Sequence, residues 1–294
     1  LVYAGAKESP VWGDESPKSE TGFKLKKGWR VATGENTSLT ILFPDNSTTR
    51  VGSETELIIE GFEEEADGIS LQLLLGDIYS EIAKAVTGKK KFSVNTPTAV
   101  AGVRGTRFGV AVAEDCSSIV EVKEGEVEVE TEEKKILLSK DQITEISPMM
   151  LLKPRFELKI QKKEPEKKMN LAQWREGKRL EIKKNPKMYL NTMMALAKKK
   201  EDKMSGLLSK GEELAGKKEN LLAALKTAAT PEEKEKIQKQ LDELKEKHGD
   251  VSKNVRMLNS SLKGSLMLLS NWEKGKVLKD EKSRGAVQII MGEN

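Results

Sequence analysis

Thr96-Pro97-Thr98-Ala99-Val100-Ala101-Gly102-Val103-Arg104-Gly105-Thr106-Arg107-Phe108-Gly109-Val110 is a strand-turn-strand pattern with one arginine set between two glycines. Alternating apolar residues on either side predict extended chain, and the glycines predict the break between the strands. Gly102 and Gly105 permit close backbone approach and unusual dihedrals. Arg104 is expected to be structural, because a guanidinium between small residues can satisfy several carbonyls or a carboxylate.

Working outward, residues 1–150 read as β throughout. Leu39–Phe43 leads into Pro44-Asp45-Asn46-Ser47, a β-turn in which Asn46 can adopt a left-handed conformation, and then into Thr48–Val51. Leu57–Ile59, Ile69–Leu75, Asp77–Ile82, Phe92–Val94, Arg107–Val112, Ile119–Val122, Val127–Glu130, Ile136–Leu138 and Gln142–Ile146 continue the series. Asp67-Gly68, Leu75-Gly76-Asp77 and Glu124-Gly125-Glu126 supply hairpin glycines. Regular turns predict a sandwich, a roll or a β-helical stack. In Val120-Glu121-Val122 and Val127-Glu128-Val129-Glu130 the valines are expected to be buried and the glutamates to face water, guarding the sheet against edge pairing.

Beyond Pro148 and Pro154, which bracket a linker, the periodicity becomes helical. After the charge-dense Lys162–Lys168, a first helix is predicted from Pro165 to Lys184, with Met169, Leu171, Ala172, Trp174 and Leu180 as its apolar positions. Asn185 then caps a new helix that starts at Pro186. Leu190, Met193, Ala197, Met204, Leu207, Leu214, Leu221, Leu225 and Ala228 keep spacings near three and four, interrupted by Lys200, Gly211 and Lys218. Thr230-Pro231-Glu232-Glu233 restarts the helix with a capping box. Ile237, Leu241, Leu244, His248, Val251, Val255, Leu258, Leu262, Ser265 and Leu269 form the second seam, with His248 as a polar seam residue. An antiparallel helical hairpin over about 187–271 follows, each arm about 60 Å long, with glycines 206, 211, 216 and 264 loosening it. A short β-like tail, Ala286–Met291, closes the chain. The expected fold class is therefore α+β: a β domain over 1–150 and a basic helical region over 151–294.

The chain has 294 residues and a net charge of +4, but the charge is uneven. Residues 1–150 carry 17 Lys and Arg against 26 Asp and Glu; residues 151–294 carry 34 against 21. Such a split points to an acidic or anionic partner for the basic half. Trp174, Tyr189 and Trp272 are the aromatic residues from 157 onward, too few for a nucleic-acid reader, so nucleic acid is not an expected partner. No run approaches about 18 apolar residues, so no transmembrane helix is expected. Cys116 stands in a hairpin loop with no histidine nearby in sequence, and His248 has no companion ligands; neither a reactive thiol nor a metal site is expected. No catalytic, cofactor-binding or metal-binding residues are expected. Leu1–Ala4 reads as a strand already under way, without an initiator Met or signal peptide, so a processed fragment is expected.

The order of features resembles the FecR domain, a module of bacterial envelope proteins. Gly28-x-Arg30-Val31-x-Thr33-Gly34 is followed by Leu42-Phe43-Pro44-Asp45-x-Ser47, Leu57-x-Ile59 and Leu75-Gly76. The Thr96–Thr106 motif and Glu124-Gly125-x-Val127 complete the set, over about residues 5–146. Asn46 departs from the glycine usual in the family at that turn. The resemblance implies an extracytoplasmic place, in the periplasm or at the outer membrane or surface of a bacterium. It also implies a non-enzymatic role. Many FecR proteins pass the state of a transporter to a sigma-factor regulator through a membrane span absent from this sequence. The expectation is thus a stand-alone envelope or surface protein, similar to FecR-type lipoproteins of spirochaetes. It would bind a protein partner or assemble with its own copies as a homo-oligomer or filament, with peripheral attachment through the basic helices, for which an anionic membrane surface is a candidate. The alternative is a fragment of a FecR-type signal-transducing anti-sigma regulator.

Overall fold

The computed structural model describes residues 2–3, 24–63, 68–83, 91–103, 105–162 and 170–273. Arg104, Lys163–Lys168 and the Ala286–Met291 tail lie outside the described residues, and so do the roles predicted for them.

The strands run β1 (Val2–Tyr3), β2 (Arg30–Ala32), β3 (Leu39–Leu42), β4 (Thr48–Val51), β5 (Glu56–Glu63), β6 (Gly68–Glu81) and β7 (Lys91–Asn95). They continue as β8 (Val100–Val103), β9 (Arg107–Val112), β10 (Ser118–Glu124), β11 (Glu126–Glu130), β12 (Lys135–Ser139), β13 (Gln142–Ile146) and β14 (Gln161–Lys162). They form one curled sheet with two halves. One half is ordered β1-β2-β5-β6-β7-β8-β11-β12 and the other β3-β4-β6-β9-β10-β13-β14. Pairing is antiparallel apart from β6 with β7. Phe92 of the first half meets Phe43 and Phe108 of the second edge to face, at 5.7 and 6.1 Å between ring centroids. The halves therefore face each other across one aliphatic core that includes Leu57, Leu71, Val94, Ile78, Val110 and Val120. Curling the sheet onto itself lets each strand bury one side of its period-two pattern.

Strand β6 belongs to both halves. Residues Gly68–Leu75 pair with β5, and Gly76–Glu81 pair with β9. Gly76, expected as a hairpin turn, is instead a bend within one continuous strand, with φ +101. A Cβ there would lie 2.3 Å from the Thr55 Cα, so only glycine fits. Gly125 was likewise expected to close a hairpin. It turns the chain from β10 in one half to β11 in the other, at φ +84, and those two strands are not ladder partners.

Two hairpins share one turn geometry. In Phe43–Ser47 the Phe43 amide donates to the Ser47 carbonyl, the Ser47 amide donates to the Asp45 carboxylate at 3.0 Å, and Asn46 has φ 64. Ala113–Ser117 repeats this, with Asp115 as acceptor at 2.9 Å and Cys116 at φ 68. The left-handed conformation expected at Asn46 is present. Burial pushes the Cys116 thiol up to about 12, so it stays protonated.

Ser147 caps a short helix, α1 (Pro148–Leu151), within the predicted linker. Helix α2 (Leu171–Lys184) is capped by Asn170 and lies on the outer face of β9, β10 and β13. Leu171 and Trp174 there cover Ala111, Ile119 and Ile143. This corrects the expectation that Glu121 faces water: α2 buries that face, and Leu171 and Glu121 close on Gly109. Leu180, expected to be apolar-facing, is exposed, while Arg175 is buried.

Helices α3 (Pro186–Thr227) and α4 (Pro231–Glu273) form the predicted antiparallel hairpin. Asn185 accepts from the Met188 amide, and Thr230 and Glu233 exchange the two bonds of a capping box at 3.2 and 3.3 Å. Leu214, Leu244 and Val251 bury the outer seam. His248 does not; it is exposed and sits beside Ser252, because a two-helix seam covers only the residues directly between the helices. No described helix is long and apolar enough to cross a membrane.

Candidate interaction site at the junction of sheet and hairpin

The base of the hairpin packs into the sheet's own core. Leu190, Met193, Leu196, Leu268, Leu269 and Trp272 belong to the same cluster as the strands. The contact centres on the Thr96-Pro97-Thr98 turn between β7 and β8, the start of the motif that decided the fold. Gly264 of α4 lies against it, so that a Cβ would meet Pro97 Cγ at 3.0 Å. Ser261 Oγ donates to the Pro97 carbonyl at 2.5 Å, and Lys200 Nζ donates to the same carbonyl and to Ser265 Oγ at 3.1 Å. Beneath the turn, Thr96, Thr98 and Ser118 join hydroxyls at 2.6 and 2.9 Å. Alongside, Gln72 donates to the Ser260 carbonyl, and Ser260 Oγ donates to Glu60 at 2.7 Å.

Three features that read as flaws in a heptad seam are thus contacts with the sheet. Lys200 is 1% exposed, Ser265 is fully buried and Gly264 sits against proline. Burial pushes the Lys200 ammonium down to about 8 from 10.5, with Cys116 and Glu132 as the ionisable groups acting on it in the opposite direction. The shift corresponds to a penalty of about 3 kcal/mol for holding the charge. Below pH 8 the folded and unfolded lysines are both protonated, and that penalty is present in full. Between pH 8 and 10.5 the folded lysine has lost its proton while the unfolded one keeps it, so stability rises with pH. Cys116 works the other way above its unfolded value of 9.0, so the rise is expected chiefly between about pH 8 and 9. Lys200→Met leaves the Pro97 carbonyl bonded to Ser261 and is expected to stabilise the chain at pH 7 by about 1–3 kcal/mol. It should also remove the rise. Urea melts at pH 7, 8 and 9 check both; a destabilised variant that keeps the rise would contradict the assignment.

A second junction is ionic. Arg175 donates to the Ser53 and Glu54 carbonyls at 3.2 and 3.0 Å and lies 3.4 Å from Asp77. Burial raises the Asp77 pKa, and Arg175 partly offsets that. Arg179 bridges Glu114 at 2.6 Å and Glu54 at 2.7 Å. Trp272 Nε1 donates to the Glu114 carbonyl at 2.8 Å, which ties α4 to the same turn. Lys178 meets Glu145 at 2.8 Å, Lys199 meets Glu133 at 3.2 Å, Lys203 meets Glu132 at 3.1 Å and Lys253 meets Glu130 at 3.0 Å. Opposite charges of the two halves therefore meet within one chain. The positive excess is also local: residues 151–200 carry sixteen basic and five acidic residues, whereas 201–258 carry twelve of each.

Among the described residues, no group of three or more His, Cys, Asp or Glu side chains is placed to hold a metal ion. The arrangement offers a platform with a fixed arm. Sequence reasoning missed Arg175, Arg179 and Glu114 because their partners lie 65 to 125 residues away.

Residues 30–128, from β2 into β11, match the family model described as FecR protein. This chain carries a FecR domain. The turn that receives Lys200, Ser261 and Gly264 lies inside that domain. Two solved structures are similar, both described as "a putative anti-sigma factor from Parabacteroides distasonis ATCC 8503". Each is 20% identical; one aligns with 46% of this chain and 60% of its own at a TM-score of 0.39, the other with 49% and 63% at 0.40. The chain thus spans less than two thirds of either. No match was found among curated proteins.

Proposed function

We propose that this protein is a non-catalytic regulatory component of the bacterial cell envelope. Its FecR domain is the platform, and the hairpin is the arm that engages another protein of the signalling pathway, as in a FecR-type anti-sigma regulator. The FecR match over residues 30–128 carries this reading. The buried joint between that domain and both helices supports it, since it sets the direction of the arm. A second reading, peripheral attachment to an anionic membrane, is favoured by exposed Lys183, Lys184 and Lys187 at the corner of α2 and α3.

The test is a strain deleted for the gene. Under the regulatory reading, a defined set of transcripts changes and the complete gene restores it. A version lacking residues 204–224 and 234–254, three heptads from each arm, should not restore it. The excision keeps the seam in register and, apart from the exposed Lys253 ion pair with Glu130, leaves the joint with the sheet intact. Unchanged transcripts, together with release of the protein from membranes when Lys183, Lys184 and Lys187 become Glu, would replace the first reading with the second.

A further inference from the structure

Helix α3 carries a second apolar line beside its seam. Leu207, Leu214 and Leu221 face α4, and the residue after each repeats on the outside as Leu208, Ala215 and Leu222. Leu208 is 52% exposed, Leu222 is 40% exposed and Ala215 is exposed between them. Spacing by sevens keeps the three on one face, with the leucines about 21 Å apart. The seam beside them is itself incompletely covered: Leu207, Leu221, Leu225, Ile237 and Leu241 are all half-buried.

Charges along α3 change sign about Ala215. Glu212 and Glu213 precede it, and Lys218 and Lys217 follow at the matching distances of three and two residues. An antiparallel copy of the same helix, centred on Ala215, places Glu212 opposite Lys218 and Glu213 opposite Lys217, four unlike pairs across the axis. A parallel copy places like charges together. Within one chain Lys217 already pairs with Glu213. Across a two-fold axis the two such pairs join into one alternating cluster. Equal numbers of acidic and basic residues over 201–258 leave no net repulsion between arms.

We propose that the arm docks on the arm of a second copy of this chain, with the two α3 helices antiparallel about Ala215 and Leu208 of each against Leu222 of the other. The pairing is isologous, so each contact occurs twice, and the four helices cover the half-buried seams of both hairpins. This goes beyond the regulatory reading: an arm that engages another protein as a monomer would satisfy that reading and defeat this one.

The experiment is sedimentation equilibrium of the full chain and two charge-swapped variants. Wild type is expected to dimerise in the micromolar range. Glu212→Lys with Glu213→Lys, and separately Lys217→Glu with Lys218→Glu, put like charges across the axis, and each is expected to weaken dimerisation about tenfold or more. Mixed together, the two variants restore unlike pairs and should form a heterodimer. Ala215→Cys should give a disulfide-linked dimer, because residue 215 meets itself, while Asp242→Cys on the other arm should not. Far-UV circular dichroism of each variant verifies that the helices are intact. Monomeric wild type at high micromolar concentration overturns the proposal. So do variants that dimerise alone as well as wild type does, or a mixture that stays monomeric.

Discussion

Gly76→Ala is expected to remove roughly 3–6 kcal/mol of stability, a large part of the 5–15 kcal/mol typical of a domain. Two costs combine. The φ of +101 is one that an L side chain rarely adopts, and the new Cβ would lie 2.1–2.5 Å from Thr55 Oγ1, Cα and Cβ. Thr55 cannot simply turn aside, because the clash includes its backbone. Its hydroxyl also accepts from the Asp77 amide at 3.0 Å, and its own amide donates to Thr33 Oγ1 at 2.9 Å. Relief therefore requires β5 and β6 to separate where β6 passes between the halves. Gly28→Ala is the internal control: φ is +80, yet nothing lies within 4 Å of its Cβ, so only the backbone term of about 1 kcal/mol applies. Urea denaturation of both variants gives the comparison. Equal losses would show that Gly76 is not a close-packed bend.

Trp272→Ala is expected to cost about 3–5 kcal/mol. The indole is 2% exposed in the shared core and is the largest fully buried side chain among the described residues. Its Nε1–H bonds the Glu114 carbonyl, which the truncation leaves buried without that donor. Glu114 also receives Arg179, so the loss reaches the ionic junction of α2 as well as the base of α4. Trp272→Phe keeps most of the buried area and should cost clearly less. If both variants cost the same, the hydrogen bond rather than packing holds this end of the hairpin. Limited proteolysis should cleave the Ala variant first near the end of α4.

Much of this architecture is legible in residue order, because it rests on local periodicity. Thr48–Val51, Arg107–Val112 and Gln142–Ile146 are legible with the bounds they have, since short apolar-rich runs bounded by turn residues mark them; burial alternates along Thr48–Val51, whereas Arg107–Val112 is covered on both faces. The hairpin was legible from its seam and from Thr230 and Glu233, whose reciprocal bonds are formed within four residues. What escaped depends on tertiary contact. A glycine with positive φ looks the same in sequence whether it ends a hairpin or bends a strand, and at Gly76 only the ladder partners decide. Glu121 alternates like a solvent-facing residue, yet a helix fifty residues later covers it. Lys200 interrupts a heptad by polarity, and nothing within its own helix indicates that the Pro97 carbonyl will receive it. His248 kept the heptad spacing but lies on the outside, because spacing fixes a face only approximately over a 43-residue helix.

A rigid joint between the FecR domain and the arm is measured most directly as a distance. Spin labels at Glu126→Cys on β11 and Asp242→Cys on α4 stand on exposed positions, while buried Cys116, with its raised pKa, stays unlabelled. Labelled chain diluted into unlabelled chain restricts the signal to pairs within one molecule. Double electron–electron resonance is expected to give one narrow distance distribution, which broadens when Trp272→Ala and Lys200→Glu are introduced together. A broad distribution in the unmodified joint would mean that the hairpin swings freely from the sheet, contradicting an arm held by the Thr96–Thr98 turn.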